Sequence, residues 1–136
     1  MAQETDAVRT LRAGYAAFST GDEQLFVDFL HPDFRYRARE ELPGGGEYEG
    51  RDAFYRRLVE LRDLFVDIHA EPDEFIESGD YVVASLKWTA IGRGGGVRVA
   101  QNLLHVWRMR DGKGLELQVF SDKATALEAA LVGRAE

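Results

Sequence analysis

The chain has 136 residues, 45% of them hydrophobic and 30% charged, which is the composition of one globular domain spanning 1–136. Its net charge of −7 argues against nucleic-acid binding, which needs a surplus of Lys and Arg on one surface. Without cysteine, the chain has no disulfides, thiol catalysis or thiolate metal sites. No apolar run reaches the ~20 residues of a membrane span, and residues 1–6 are too polar for a signal peptide. These features predict a cytoplasmic protein with no nucleic-acid or membrane partner.

The first forty residues are predicted to form two helices and a strand. Apolar residues recur at spacings of three and four from about 5 to 19, and again from Asp22, which can cap the second helix, to Leu30. Pro32 is predicted to stop that second helix. The alternation of Phe34, Tyr36 and Ala38 with arginines is typical of a strand with one solvated face.

The next segment is predicted to be a loop followed by a third helix. Residues 43–47 contain three consecutive glycines after a proline, which gives the backbone too much freedom for a regular element. The spacing of Phe54, Leu58, Leu61 and Phe65 then predicts a helix. Its solvated side is expected to carry the charged residues Arg56, Arg57, Glu60 and Arg62.

From residue 66 onwards the pattern changes to strands. The runs 66–78, 81–91, 97–110 and 115–121 are rich in β-formers, and Pro72 suits an edge strand or a bulge in the first of them. Asp111-Gly112 between two apolar runs predicts a tight hairpin, because both residues tolerate a positive φ. A short helix closes the chain. The order predicts an α+β fold with its core over about 5–131 and its helices on one face of the sheet.

Two polar groupings have two interpretations each, and a third only superficially suggests a metal site. Asp122 is either a site carboxylate or the N-cap of the closing helix. The alternating arginines from Arg35 to Arg39 either recognise an acidic ligand or form a solvated strand face. His69 lies between Asp67 and Glu71, but three residues on one strand lack metal-site spacing, so no metal is predicted.

The order of these predicted elements and three sets of residues resemble the nuclear transport factor 2-like superfamily. Within this superfamily, the resemblance is to the SnoaL-like branch, which includes polyketide cyclases and is related to ketosteroid isomerase. The three sets are Gly50-x-Asp52-x-Phe54, Gly79-Asp80-x-Val82-Val83, and Asp111-Gly112-Lys113 leading to 119–122. The resemblance covers about 8–131. It implies a cone in which three helices and a short C-terminal helix wrap a curved, mostly antiparallel sheet. It also implies a mostly apolar pocket and a homodimer.

The resemblance also implies where a catalytic carboxylate would lie, and the chain lacks it at both places. The base of the ketosteroid isomerases aligns with Ala38. The acid of the cyclases and epoxide hydrolases aligns with Val119, three positions before Asp122. The tyrosine donor of the isomerases aligns one residue away from Tyr15, which is interpreted either as a pocket residue or as part of the core.

His105 is the predicted catalytic residue, because it aligns with the position where the isomerases keep a protonated aspartate as hydrogen-bond donor. A histidine could act there as donor, acid or base; otherwise it is a structural residue bonded to a neighbour. Alternation places Gln101, Leu103 and Trp107 on its face of the strand. The predicted ligand-binding residues are Tyr15, Gln101, Trp107, Leu103, Val119, Leu117 and Phe54.

Two functions remain open at this point. The first is a SnoaL-like protein that binds a small, largely apolar molecule, and that is a cofactor-independent isomerase or cyclase if it is an enzyme. The second is a noncatalytic domain that makes a homodimer or docks a partner and keeps only a remnant of the pocket.

Overall fold

The computed structural model describes residues 4–38 and 46–135. Within these ranges the chain forms four helices and six strands. In chain order they are α1 (Asp6–Ser19), α2 (Glu23–Asp28), β1 (Leu30–Ala38), β2 (Gly46–Glu49), α3 (Arg51–Leu64), β3 (Phe65–Ser78), β4 (Tyr81–Gly92), β5 (Arg98–Arg110), β6 (Lys113–Phe120) and α4 (Lys123–Ala135).

The six strands form a single curved sheet in the order β2-β1-β6-β5-β4-β3. Every neighbouring pair is antiparallel except β1 and β6, which are parallel. The β3–β4–β5–β6 meander ends beside β1, so the first strand of the chain is paired with the last. The predicted α+β fold with a mostly antiparallel sheet is confirmed.

Helices cover both faces of this sheet. Side chains of α1, α2 and α3 pack with the inward-facing residues of the strands in the main apolar core. On the opposite face, Ala126 and Ala130 of α4 pack against a smaller cluster that includes Leu104 and Val106 of β5. The expectation that all helices lie on one face is therefore wrong for α4. None of the helices in the described ranges is long and apolar enough to cross a membrane.

The β5–β6 hairpin forms the centre of the core. Asp111 and Gly112 have φ of 53° and 76°, which confirms the predicted tight turn. Beyond the turn, Gly114 lies against the indole of Trp107, which is only 1% exposed. A Cβ at position 114 would lie 2.7 Å from Cζ3 of that indole, so only glycine fits there.

Two predicted element boundaries are wrong near the start of the sheet. The second helix ends at Asp28, and Leu30 already belongs to β1. Pro32 lies inside this strand instead of stopping a helix. No paired residue is found between Leu30 and Arg35, where the register with β6 shifts, so the missing N–H of Pro32 removes no ladder hydrogen bond.

Two further boundaries differ around α3. Gly46 and Glu47, predicted to be in a loop, form the start of β2, because they pair with Ala38 and Arg37. The rest of the predicted loop, 43–45, lies outside the described residues. Phe65 begins β3 and does not belong to α3.

Pro72 and Asp122 fulfil their predicted structural roles. Strand β3 is an edge strand of the described sheet, and its register shifts between Pro72 and Glu74, as expected for proline. Asp122 is exposed, and its Oδ2 accepts hydrogen bonds from the backbone N–H and the hydroxyl of Thr125, at 2.8 and 2.7 Å. These bonds lower the pKa of the Asp122 carboxyl. The bond from the backbone N–H shows that Asp122 caps α4.

Candidate functional site

A pocket lies between the inner face of the sheet and the helices α1, α2 and α3. Its wall is mostly aromatic and aliphatic, formed by Phe18, Phe26, Phe54, Leu58, Leu61, Ala70, Trp88, Leu103, Leu117 and Val119. Four lining residues carry polar groups: Tyr15, Tyr36, Arg57 and His105. The pocket is therefore an apolar space with a few polar groups, which is the usual composition of a small-molecule site.

The pocket is small. The volume open to the centres of water molecules is about 60 Å³, several times the space that one water needs. Including the space that opens towards solvent, the empty volume is about 560 Å³. The large side chains Phe54 and Trp88 form parts of the wall without filling the cone.

The sheet register places His105 in one row with Val119 and Ala38. Val119 of β6 pairs with Ala38 of β1 on one side and with His105 of β5 on the other. These three residues thus form one row across adjacent strands. From the sequence, the family's carboxylates are expected at two positions of this row, and these positions hold Ala38 and Val119.

A chain of two hydrogen bonds holds His105 in place. Trp107 Nε1 donates to the hydroxyl oxygen of Tyr15 at 2.8 Å, and that oxygen lies 2.7 Å from His105 Nδ1. An indole N–H can only donate, so the Tyr15 oxygen is an acceptor in this bond. The other hydrogen-bond partner of this hydroxyl is His105 Nδ1, and when Tyr15 donates to it the proton of the neutral imidazole lies on Nε2.

Burial keeps both partners of this bond uncharged. Loss of solvation lowers the pKa of His105 from 6.5 to about 3, so the imidazole is neutral at pH 7. Burial raises the pKa of Tyr15 well above its ordinary value, although the hydrogen bond from Trp107 opposes the rise. His105 therefore offers a donor at Nε2, while the lone pair on Nδ1 is already engaged.

Nε2 is the atom of His105 that is left for a ligand. His105 lines the pocket and is half-buried, and no hydrogen bond joins Nε2 to the residues within 4–38 and 46–135. Of the three roles considered for His105, the donor role fits this arrangement. A base would need a free lone pair, and the one on Nδ1 accepts from Tyr15.

Six of the eight predicted site residues line the pocket: Tyr15, Phe54, Leu103, His105, Leu117 and Val119. Trp107 lies behind this wall, where it supports Tyr15. Gln101 is on the same face of β5, but it is not among the lining residues, and its buried Oε1 accepts no hydrogen bond. Tyr15 is both a core residue and a pocket residue. Its side chain is only 2% exposed, and its hydroxyl is hydrogen-bonded to His105.

Arg57 lines the pocket, although the sequence pattern was interpreted as placing it on the solvated side of α3. It follows Phe54 by three residues and precedes Leu61 by four, and this spacing puts all three on one helix face. That spacing was the available signal. A charged residue inside an apolar stripe is easily assigned to the neighbouring solvated face.

The remaining polar candidates lie outside the pocket. Arg35 and Arg37 are exposed on the other face of β1 and pair with Glu116 and Glu47 at 3.3 and 3.4 Å, so the solvated interpretation holds for both. Arg39 lies outside the described residues. His69 is exposed on β3, and no group of three potential metal ligands occurs in the part of the chain that the structure describes.

The sequence matches the family model of the SnoaL-like domain over residues 11–116. The chain therefore belongs to the SnoaL-like family, as the sequence motifs predicted. Its curved six-stranded sheet and four helices have the nuclear transport factor 2-like fold. No curated protein matches the sequence.

Solved structures of the same fold match nearly the whole chain. TerC, co-crystallised with polyporic acid, is 25% identical, with a TM-score of 0.76 over 93% of this chain and 99% of TerC. A protein of unknown function from Burkholderia pseudomallei K96243 is 24% identical, with a TM-score of 0.77 over 92% and 97% of the two chains. A proposed polyketide cyclase from Xanthomonas campestris pv. campestris is 19% identical, with a TM-score of 0.74 over 92% and 96%. The last two matches establish the fold alone.

Proposed function

We propose that this protein binds a small, largely apolar molecule in the cone, and that a carbonyl or enolate oxygen of this molecule accepts a hydrogen bond from His105 Nε2. The observation that carries the proposal is the chain from Trp107 through Tyr15 to His105. It orients the imidazole, and it leaves Nε2 as the unpaired nitrogen of His105 in a mostly apolar wall. Fixing a donor in this way lowers the cost of ordering it when the ligand binds.

If the ligand is turned over, the chemistry that fits is stabilisation of negative charge on that oxygen. A donor held in an apolar site stabilises an enolate more strongly than water does, because it is already oriented and little screened. The reaction class is a cofactor-independent isomerisation or an aldol-type cyclisation next to a carbonyl.

The described pocket wall contains no carboxylate that could remove the proton. With Ala38 and Val119 in the carboxylate positions, deprotonation relies on the acidity of the substrate itself or on water. Binding is thus the primary activity that we propose, and turnover is restricted to substrates with an acidic C–H or O–H group.

A thermal-shift screen tests the proposal, because a ligand that binds only the folded state raises the melting temperature. The probes are steroid, polyketide and terpene-like ketones, together with polyporic acid because TerC was crystallised with it. Each hit is repeated with His105→Ala and with His69→Ala, a matched variant of an exposed histidine outside the pocket. We expect the shift to disappear in the first variant and to remain in the second.

An unchanged shift in His105→Ala would contradict the role of His105. A complete lack of hits would favour the noncatalytic interpretation, in which the cone is a remnant. The predicted homodimer is tested separately by measuring the molecular mass in solution.

A further inference from the structure

Arg57 lines the pocket, and one of its donor atoms is buried without an acceptor among the described residues. Its Nη1 donates to Oε2 of Glu60 at 3.0 Å, and the Glu60 side chain is 64% exposed. The Nε of Arg57 is buried and makes no hydrogen bond. Nε and Nη2 form one edge of the planar guanidinium, which is the edge that a carboxylate binds through two parallel hydrogen bonds.

Arg57 also determines the sign of the charge in the pocket. It is the one charged side chain among the described lining residues, and His105 is neutral. Its exposed ion pair with Glu60 is of the kind that contributes little, because water screens it. Inside the apolar wall the same positive charge is less screened. The interior of the pocket therefore favours an anion, although the whole chain carries a net charge of −7.

Tyr36 provides a second donor in this part of the wall. It lines the pocket, and its ring packs on the ring of Phe54 with 4.8 Å between the centroids. Phe54 precedes Arg57 by one turn of α3. Burial and the neighbouring Tyr48 raise the pKa of Tyr36, while Arg57 opposes the rise. The Tyr36 hydroxyl thus stays protonated at neutral pH and can donate to an anion.

We propose that the ligand is an acid, and that its carboxylate or acidic enol binds the Nε–Nη2 edge of Arg57 with help from Tyr36. Its apolar body occupies the aromatic wall, and its carbonyl oxygen accepts from His105. This proposal rests on the proposed function for the place of binding and deepens it by naming the substrate class. The ligand has an oxygen at each end of an apolar body, and one of the two is negatively charged.

The test uses three aromatic probes that differ only at their ends: 6-acetyl-2-naphthoic acid, its methyl ester, and 2-naphthoic acid. The dissociation constant of each is measured by calorimetry with the wild-type protein. We expect the acid to bind about tenfold or more tightly than its ester, as for hydrogen bonds to a charged group. Loss of the acetyl group should weaken binding in the wild type and have no effect in His105→Ala.

Four variants assign the preference to Arg57. Arg57→Met should bind acid and ester equally, whereas Arg57→Lys keeps the charge without the planar edge and should retain part of the preference. Arg56→Met removes the same charge from the exposed neighbour on α3 and should change nothing. Glu60→Gln frees Arg57 from its competing carboxylate, so the acid should bind about twofold to fivefold more tightly.

The outcomes separate this proposal from the proposed function. If the ester and neutral ketones bind in a His105-dependent way but the acids bind no better, the acid-binding proposal is overturned and the proposed function remains. If Arg57→Met and Arg56→Met lower the acid affinity equally, the effect is a general one of charge, and the proposal fails. If no acid, ester or ketone binds, both proposals fail.

Discussion

The pocket has two polar regions that differ in how their hydrogen bonds are satisfied. At the sheet, two hydrogen bonds connect Trp107 to Tyr15 and Tyr15 to His105, and the Tyr15 hydroxyl both accepts and donates. At α3, Arg57 keeps a buried Nε without an acceptor. The first region is complete without a ligand except at His105 Nε2, and the second is incomplete.

This difference suggests what each region contributes. A satisfied buried network stabilises the fold and orients its members, so removing a member lowers stability. A buried donor without a partner destabilises the empty protein, so its presence is better explained by a ligand that supplies the acceptor. Substitutions should therefore be costly in the first region and cheap in the second, and four measurements test this contrast.

The largest effect is expected from acid. The unfolded chain binds a proton at His105 below about pH 6.5, while the folded protein binds it only near pH 3. Stability is therefore full above pH 6.5 and falls as the pH decreases towards 3, by up to about 1.4 kcal/mol per pH unit from this residue. Urea unfolding from pH 7 to pH 4 measures the slope. His105→Gln should have the smaller slope, and equal slopes would contradict a neutral His105.

Gly114→Ala tests the packing that supports the hydrogen-bond chain. The new Cβ would lie 2.7 and 2.9 Å from two carbons of the Trp107 indole, so the indole or the strand must shift, which disturbs the bond from Trp107 to Tyr15. We expect a loss of about 3 kcal/mol in the free energy of unfolding. Gly95→Ala is the control, because its Cβ would meet only Val97 at 3.8 Å. Equal losses in both variants would show that the Trp107 contact is unimportant.

Tyr15→Phe removes the central hydroxyl and keeps the ring. Trp107 Nε1 then has no acceptor, so we expect a loss of about 2 kcal/mol. The indole N–H resonance of Trp107 should shift in the NMR spectrum, and the proton of His105 should no longer be confined to Nε2. Tyr55→Phe, at a partly buried position, serves as the control and should leave both signals in place. If the stability of Tyr15→Phe were unchanged, these two hydrogen bonds would not contribute to the stability of the fold.

The smallest effect is expected from Arg57→Met. Methionine fills a similar volume and removes the unpaired buried donor, at the loss of one ion pair to the exposed Glu60. The free energy of unfolding should change by less than about 1 kcal/mol. A loss as large as that of Tyr15→Phe would mean that Arg57 is a structural residue.

The sequence was most informative where local chemistry decides the structure. Asp111-Gly112 supplies the two positive φ angles of the hairpin, Pro72 lies at an irregular position of an edge strand, and Asp122 caps α4. Each of these depends on residues close in sequence. The boundary at Leu30 failed because the apolar pattern of a short helix continues without interruption into a buried strand.

The site was only partly predictable for the same reason. Alternation along β5 is enough to place His105 beside Leu103 on the inner face. The bonds from Tyr15 to His105 and from Trp107 to Tyr15 join residues 90 and 92 positions apart, and no local pattern contains them. Arg57 was missed because charge usually indicates a solvated face, whereas this side chain is a polar member of an apolar stripe.

The row formed by Ala38, Val119 and His105 has a consequence for how such proteins change. One base change converts any alanine or valine codon into a codon for aspartate or glutamate. A carboxylate gained at position 38 or 119 would be one or two strands from a neutral imidazole donor, and burial would raise its pKa towards neutrality. A single nucleotide change would thus add a carboxylate to a row that already contains the His105 imidazole, while the scaffold stays the same.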